Sequence, residues 1–246
     1  MYSSTGLGDA VLPQVVDGGG WQTMITIVNL RSTETTAYID CGSDSGEAQP
    51  FEWAGTGAYA SLQGPVAGYG SIEIMTQGKA ATASQGYCVV SATEAAGNDL
   101  AAFAIYAYGP TGQQVSVPAS PVGLTNTHNS LILAFDNTYG YSYGVALVDT
   151  NTSVTGNSGD LVNWSVQDTG GTVVARGSFK IAPLGHTSFM LADNIPATAK
   201  IRGTITFTIV DTVPNSVMPG TLVGLGLRVC PWGALTSVDM FEPMTY

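Results

Sequence analysis

Thr204-Ile205-Thr206-Phe207-Thr208-Ile209 alternates a small hydroxyl side chain with a large apolar one over six positions. Successive side chains of an extended strand point to opposite faces, so Ile205, Phe207 and Ile209 share one face and the threonines the other. Ser71-Ile72-Glu73-Ile74-Met75 alternates in the same way, and Thr23-Met24-Ile25-Thr26-Ile27-Val28 is β-rich and followed by polar turn residues. Leu100-Ala101-Ala102-Phe103-Ala104-Ile105-Tyr106 and Leu222-Val223-Gly224-Leu225-Gly226-Leu227 are continuous apolar runs of strand length, as expected of central strands covered on both faces. Nowhere does the apolar spacing of a helix persist without interruption by glycine, proline or a β-branched residue. Turn residues punctuate the chain at Asp17-Gly18-Gly19-Gly20, Gly109-Pro110-Thr111-Gly112 and Asp168-Thr169-Gly170-Gly171. The last of these is predicted to close a hairpin between residues 161–167 and 172–179. The pattern predicts an all-β fold made of two tandem antiparallel β-sandwich halves, immunoglobulin-like or jelly-roll-like.

The two halves are read from an internal echo. Gly70-Ser71-Ile72-Glu73-Ile74-Met75 returns as Gly185-His186-Thr187-Ser188-Phe189-Met190, and Gly86-Tyr87-Cys88-Val89-Val90 as Gly203-Thr204-Ile205-Thr206-Phe207. Ala102-Phe103-Ala104-Ile105-Tyr106 returns as Val223-Gly224-Leu225-Gly226-Leu227. Three ordered echoes at nearly constant offset predict two copies of a unit of about 115–120 residues. The expected division is an N-terminal extension at 1–12, a first sandwich at 13–118 and a second at 119–246. Val117-Pro118-Ala119-Ser120-Pro121-Val122-Gly123, with two prolines and no charge, is expected to be a short stiff linker.

Composition narrows the role. Apolar residues make up 44% of the 246, enough for a buried core, whereas charged residues are only 10% against a usual ~25%. Eighteen acids face seven bases, and the net charge of −11 argues against nucleic acid and anionic lipid as partners. No apolar stretch is long enough for a membrane span. The opening Met1-Tyr2-Ser3-Ser4-Thr5 lacks the regions of a signal peptide. Scarce lysine and abundant Thr, Gly and Asn are read as an exported chain with its signal removed, at the cell surface or outside the cell.

Leu12-Pro13-Gln14-Val15-Val16-Asp17-Gly18-Gly19-Gly20-Trp21-Gln22-Thr23, followed by Ile25-Thr26-Ile27-Val28-Asn29-Leu30, resembles the opening of a family of uncharacterised secreted bacterial β-sandwich repeat domains. Gly224-Leu225-Gly226-Leu227-Arg228 and Gly233-Ala234-Leu235-Thr236-Ser237 are similar to its close. The resemblance implies export and a sandwich fold, and it transfers no site residues.

Candidate chemistry is sparse. His128 and His186 lie in unrelated contexts with no Gly-x-Ser-x-Gly elbow, and Glu52 beside Trp53 is the one acid–ring pair that resembles a sugar site. No catalytic centre is recognised, and an enzyme is not expected. Tyr139, Tyr141 and Tyr143 would share one face of a strand and, with Trp53, form a stacking surface for carbohydrate. Asp149, Asn151, Asn157 and Asp160 offer oxygens around one loop, a weak calcium set without the spacing of an EF-hand, and no other cofactor is expected. Cys41 and Cys88 are the disulfide candidates if the chain is exported; three buried thiols are the alternative. The sequence reading is therefore an extracellular structural or adhesive protein. It would self-associate as a filament or surface-layer subunit through strand addition by residues 1–12. The alternative is a carbohydrate-binding module that takes polysaccharide on exposed aromatics.

Overall fold

The computed structural model describes residues 10–92, 99–118, 120–121, 129–150, 159–210 and 221–243. They form strands joined by turns, with only a four-residue helix and one short 3-10 turn. Two compact units separate, one of Met1–Ser43 and Glu47–Asn126, the other of Asp44–Gly46 and Thr127–Tyr246.

In the first unit, β1 (Ala10–Asp17), β3 (Thr35–Gly42), β6 (Ser61–Val66), β8 (Ser84–Ala92) and β11 (Ser120–Pro121) form a sheet in the order β11-β1-β8-β3-β6. A second sheet, β10-β9-β2-β7, contains β2 (Trp21–Asn29), β7 (Ser71–Met75), β9 (Leu100–Tyr108) and β10 (Gln113–Pro118). A small hairpin of β4 (Phe51–Trp53) and β5 (Gly57–Tyr59) completes this unit. The inward faces follow the alternation of the sequence: Ile25 and Ile27 of β2 and Ile39 of β3 are at most 2% exposed.

The second unit has two four-stranded sheets. One, β12-β17-β14-β15, contains β12 (Ser130–Asp136), β14 (Asp160–Asp168), β15 (Val173–Ile181) and β17 (Arg202–Val210). The other, β16-β13-β18-β19, contains β13 (Ser142–Asp149), β16 (His186–Met190), β18 (Leu222–Val229) and β19 (Leu235–Val238). Ile205, Phe207 and Ile209 point into one core with Leu133, Val145, Leu147 and Val162. Phe179 and Phe189 meet Phe207 edge-on at 6.3 and 6.5 Å, the geometry that aromatic quadrupoles favour. The predicted hairpin joins β14 to β15, and Asp168 Oδ1 shapes its turn by accepting from the N–H groups of Gly170 (2.8 Å) and Thr172 (2.9 Å).

Among the described residues all the strand pairs are antiparallel, and the two units share one strand order. The first unit's β1-β8-β3-β6 corresponds to β12-β17-β14-β15, and its β7-β2-β9-β10 to β16-β13-β18-β19. The three sequence echoes fall on the corresponding pairs β7/β16, β8/β17 and β9/β18. Backbone contacts repeat as well. Asn29 N–H donates to Gly70 O (2.9 Å) in one unit, and Asp149 N–H to Gly185 O (3.0 Å) in the other.

Two boundary expectations are corrected. Residues 10–12 of the expected N-terminal extension belong to their own core: Ala10, Val11 and Leu12 are 3%, 0% and 0% exposed. This stretch has no glycine; all three residues pair with β8, and Ala10 and Val11 pair with β11 on the other side. The remainder, 1–9, lies outside the described residues. The expected linker is also partly strand. Pro118 ends β10, and Ser120 and Pro121 pair with Val11 and Ala10, so the first unit extends past the expected boundary at 118. Proline suits this position because a sheet edge can do without its N–H. The second unit closes the same edge differently: Ile132 of β12 and Phe241 exchange two backbone bonds, 2.7 and 2.8 Å.

Candidate functional site

Two turns come together at one end of the β13–β18 pair. The turn before β13 is anchored by Asn137, whose N–H donates to Ile201 O (2.9 Å) and whose side-chain amide donates to Thr198 O (3.0 Å). Thr138 donates its N–H (3.0 Å) and its hydroxyl to Asp136 Oδ1, and Tyr141 N–H donates to Thr138 O (3.1 Å). Tyr139 and Gly140 then have φ of 53° and 81°, the left-handed region that an L side chain enters only at a cost. The turn after β18 closes when Cys230 N–H donates to Ala234 O and Gly233 N–H to Cys230 O, both 2.8 Å. Gly140 packs on Pro231, where a Cβ would lie 3.2 Å from the proline ring.

An aromatic and cationic cluster results. Tyr141 and Trp232 meet edge-on at 5.9 Å, and the Arg228 guanidinium carbon sits 3.9 Å from the centre of the Tyr141 ring, within cation–π range. Tyr139 is 83% exposed and Trp232 70% exposed. The hydrogen bonds from Thr138 hold the Asp136 carboxyl below the usual carboxylate range, and the charges of Arg202, 3.7 Å away, and Arg228 act in the same direction. Burial raises the Tyr143 phenol, with Arg228 acting against it.

The expected stacking surface is therefore corrected in two places. Trp53 is 1% exposed; its indole N–H donates to Tyr59 O (2.8 Å) and its ring packs edge-on to Phe51, so it offers no face to a ligand. Tyr143 is buried with Val145 and Leu147 on the core side of β13, and Tyr139 sits in a turn, so the three tyrosines do not form one exposed row. Sequence reasoning missed the partners of Tyr141, which are Trp232 and Arg228. No repeat signal marks Trp232: counted along the strands from the equivalent pairs Asn29↔Leu100 and Asp149↔Leu222, its place in the first unit is that of Pro110.

The corresponding end of the first unit is built alike. Gly18 and Trp21 exchange backbone bonds of 3.0 and 2.9 Å, Trp21 packs on Tyr108 at 4.7 Å, and Gly20 lies against Pro110. Asp17, 4% exposed, ties this turn down by accepting from Gly78 N–H (2.6 Å) and Glu52 N–H (3.3 Å).

The other expected groups are placed as follows. Cys41 and Cys88 are bonded and stand directly opposite each other on β3 and β8. Cys41 turns its backbone away from β8, donating to Ala60 O and accepting from Gln49 N–H, so the two cysteines form a non-hydrogen-bonded pair, where side chains approach closest. Cys230 is a free thiol. Asp149 and Asp160 are 0% and 1% exposed at the ends of β13 and β14, while Asn151 and Asn157 lie outside the described residues. Among the described residues no three His, Cys, Asp or Glu side chains gather as a metal site. His186 is buried in β16 with Nδ1 2.6 Å from Asp44 Oδ1 in the same unit, and His128 is outside the described residues. The outer face of β14, β15 and β17 has a shallow depression lined by Asn163, Ser165, Arg176, Ser178, Thr206 and Thr208. Among the described residues no helix is long and apolar enough to cross a membrane.

No family model matches the chain, and no curated protein does. Among solved structures it aligns with a biofilm associated protein B domain, at 10% identity over 98% of this chain and 83% of that one. The TM-score is 0.25, too low to carry an inference.

Proposed function

We propose that this chain is an exported, non-catalytic structural or adhesive protein, composed of two tandem copies of one β-sandwich module. The Cys41–Cys88 bond carries the reading. It joins two side chains that are 2% and 0% exposed, inside a sheet, and such bonds persist in oxidising compartments and are rare in the cytosol. A charged fraction of only 10% and the resemblance to secreted bacterial repeat domains support it. Immunogold labelling of intact source cells, with protease shaving of their surface, tests it. The expected result is surface label lost on shaving; antigen confined to the cell interior would overturn the reading.

Self-assembly into a filament belongs to the same proposal, in narrower form. Residues 10–12 already pair within their own sheet, so they are not free to act as a donor strand, and the proposal is confined to 1–9. Negative-stain imaging of the purified chain tests this, with ordered polymers as the expected result and dispersed particles at high concentration as the refuting one.

A further inference from the structure

The depression on the outer face of the sheet β12-β17-β14-β15 encloses about 480 Å³, within the range of small-ligand sites. Strand register lays out its floor as two cross-strand rows. Arg176, Ser165 and Thr206 form one, and Ser178, Asn163 and Thr208 the other. The rows lie about 7 Å apart along the strands, and neighbours within a row about 5 Å apart. All six side chains point away from the core, because Val162, Val166, Ile205 and Phe207 on the alternate positions point into it. Five of the six carry hydroxyl or amide groups that both donate and accept. The sixth, Arg176, is an exposed cation with which no carboxylate pairs among the described residues.

The charge of this face runs against that of the chain. The net charge is −11, yet among the described residues the only carboxylate at an outward position of the four strands is Asp136, at the far corner, where Thr138 and Arg202 engage it. The first unit does not share the arrangement. Counted along the strands from the equivalent glycines Gly86 and Gly203, Ser61 stands where Arg176 does and Asp40 where Ser165 does. Ser61 donates its hydroxyl to Asp40 Oδ1 (2.6 Å), so that place is acidic and already satisfied. Protection of the sheet edge does not account for Arg176 either. β6 and β15 are both edge strands, and at equivalent places Pro65 and Lys180 already discourage strand addition.

One guanidinium among hydroxyl and amide groups defines a ligand. The planar fork of arginine matches the two oxygens of a carboxylate. The other five groups match hydroxyls, which likewise donate and accept. A dry protein interface would need large apolar side chains, and the two rows have none. A uronate sugar carries one carboxylate on a hydroxylated ring. We infer that the depression takes a uronate residue of an acidic polysaccharide, with Arg176 on its carboxylate and the two polar rows on its hydroxyls. The site gives the adhesive reading a ligand class and rests on that reading only for its biological purpose, because binding is measured on purified protein wherever the chain resides in the cell.

Wild type, R176S, N163A/S165A and K79S are compared on polygalacturonate and alginate by affinity electrophoresis and calorimetric titration. Dextran supplies hydroxyls without charge, and polyglutamate supplies carboxylates without hydroxyls. The expected result is binding of the wild type to at least one uronate polymer, about tenfold tighter than to dextran or polyglutamate. R176S installs the residue that the first unit has at this place, and its circular dichroism and Tm should match those of the wild type. Its Kd should rise about tenfold, as for the loss of a hydrogen bond to a charged group. N163A/S165A, with Arg176 intact, should raise Kd about threefold. K79S removes the same charge from an exposed position of the first unit and should leave Kd within about twofold. Failure of the wild type to bind either uronate polymer would overturn the inference, as would unchanged binding by R176S or by N163A/S165A. Equal weakening by K79S would reduce the effect to net charge, and equally tight binding of polyglutamate would reduce it to carboxylates of any kind; both outcomes overturn it too. The surface-labelling result stands or falls separately.

Discussion

Reduction of the single bond between β3 and β8 is the sharpest perturbation the fold offers, because it adds and removes no side-chain atom other than two hydrogens. Cys41 and Cys88 are 47 residues apart in sequence. In the chain-entropy model a crosslink of that span restricts the unfolded ensemble by about 4 kcal/mol. Both sulfurs are buried, and their strands keep their register through flanking pairs such as Ile39↔Val90 and Tyr38↔Ser91, so the reduced first unit should stay folded. For a unit of this size about 4 kcal/mol corresponds to a fall in Tm of roughly 12–20 °C. Calorimetry with and without a phosphine reductant reads the shift, and the transition that moves should be that of the first unit. Intact mass after alkylation provides the control: one cysteine, Cys230, modified before reduction, and three after. Three modified cysteines without reductant, or a melting profile displaced by less than about 3 °C, would refute the reasoning.

Two further outcomes are expected. Gly18→Ala places a Cβ 2.5 Å from Thr82 O at φ of 83°, so the first unit should lose about 1–3 kcal/mol in urea titration while the second is unaffected. Tyr106 is buried with its hydroxyl donating to Gln14 O (2.6 Å), and desolvation pushes its phenol well above the ordinary value of about 10. The resulting stability is fully present below that value and declines as pH rises beyond it, since the unfolded chain ionises first. Tyr106→Phe should flatten this alkaline limb, as read from urea midpoints between pH 9 and pH 11.5.

Strands were legible wherever one face is buried and the other wet, as in β7 and β17, because alternation records that asymmetry directly. The echoes at Gly70/Gly185 and Gly86/Gly203 match strand for strand and residue for residue, whereas the third falls on β9 and β18 one residue out of register, since Val223 stands where Ala101 does. The boundaries were less legible. Pro121 signals a linker in sequence, yet at a sheet edge the missing N–H is no defect, and only the third dimension reveals that edge. Trp53 and Tyr143 were misjudged for a related reason. An aromatic beside an acid, or in a row of tyrosines, gives no sign of which face is covered, and both are core residues. Trp232 was overlooked because its partner Tyr141 is some ninety positions away, with β13 to β18 intervening.

The first strand has a consequence for the order of events during synthesis. β1 pairs with β8 and β11 and with nothing nearer in sequence. A nascent chain that has released Ala10–Asp17 must therefore extend to Ala92 before that strand has a partner. At about 5–20 residues per second this leaves a largely apolar strand exposed for roughly 4–15 s. The same interval recurs between β12 and β17 in the second unit. During each interval the chain offers a ready ligand for a holdase chaperone, and loss of that chaperone should appear first as aggregation of newly made protein, before any effect on molecules already folded.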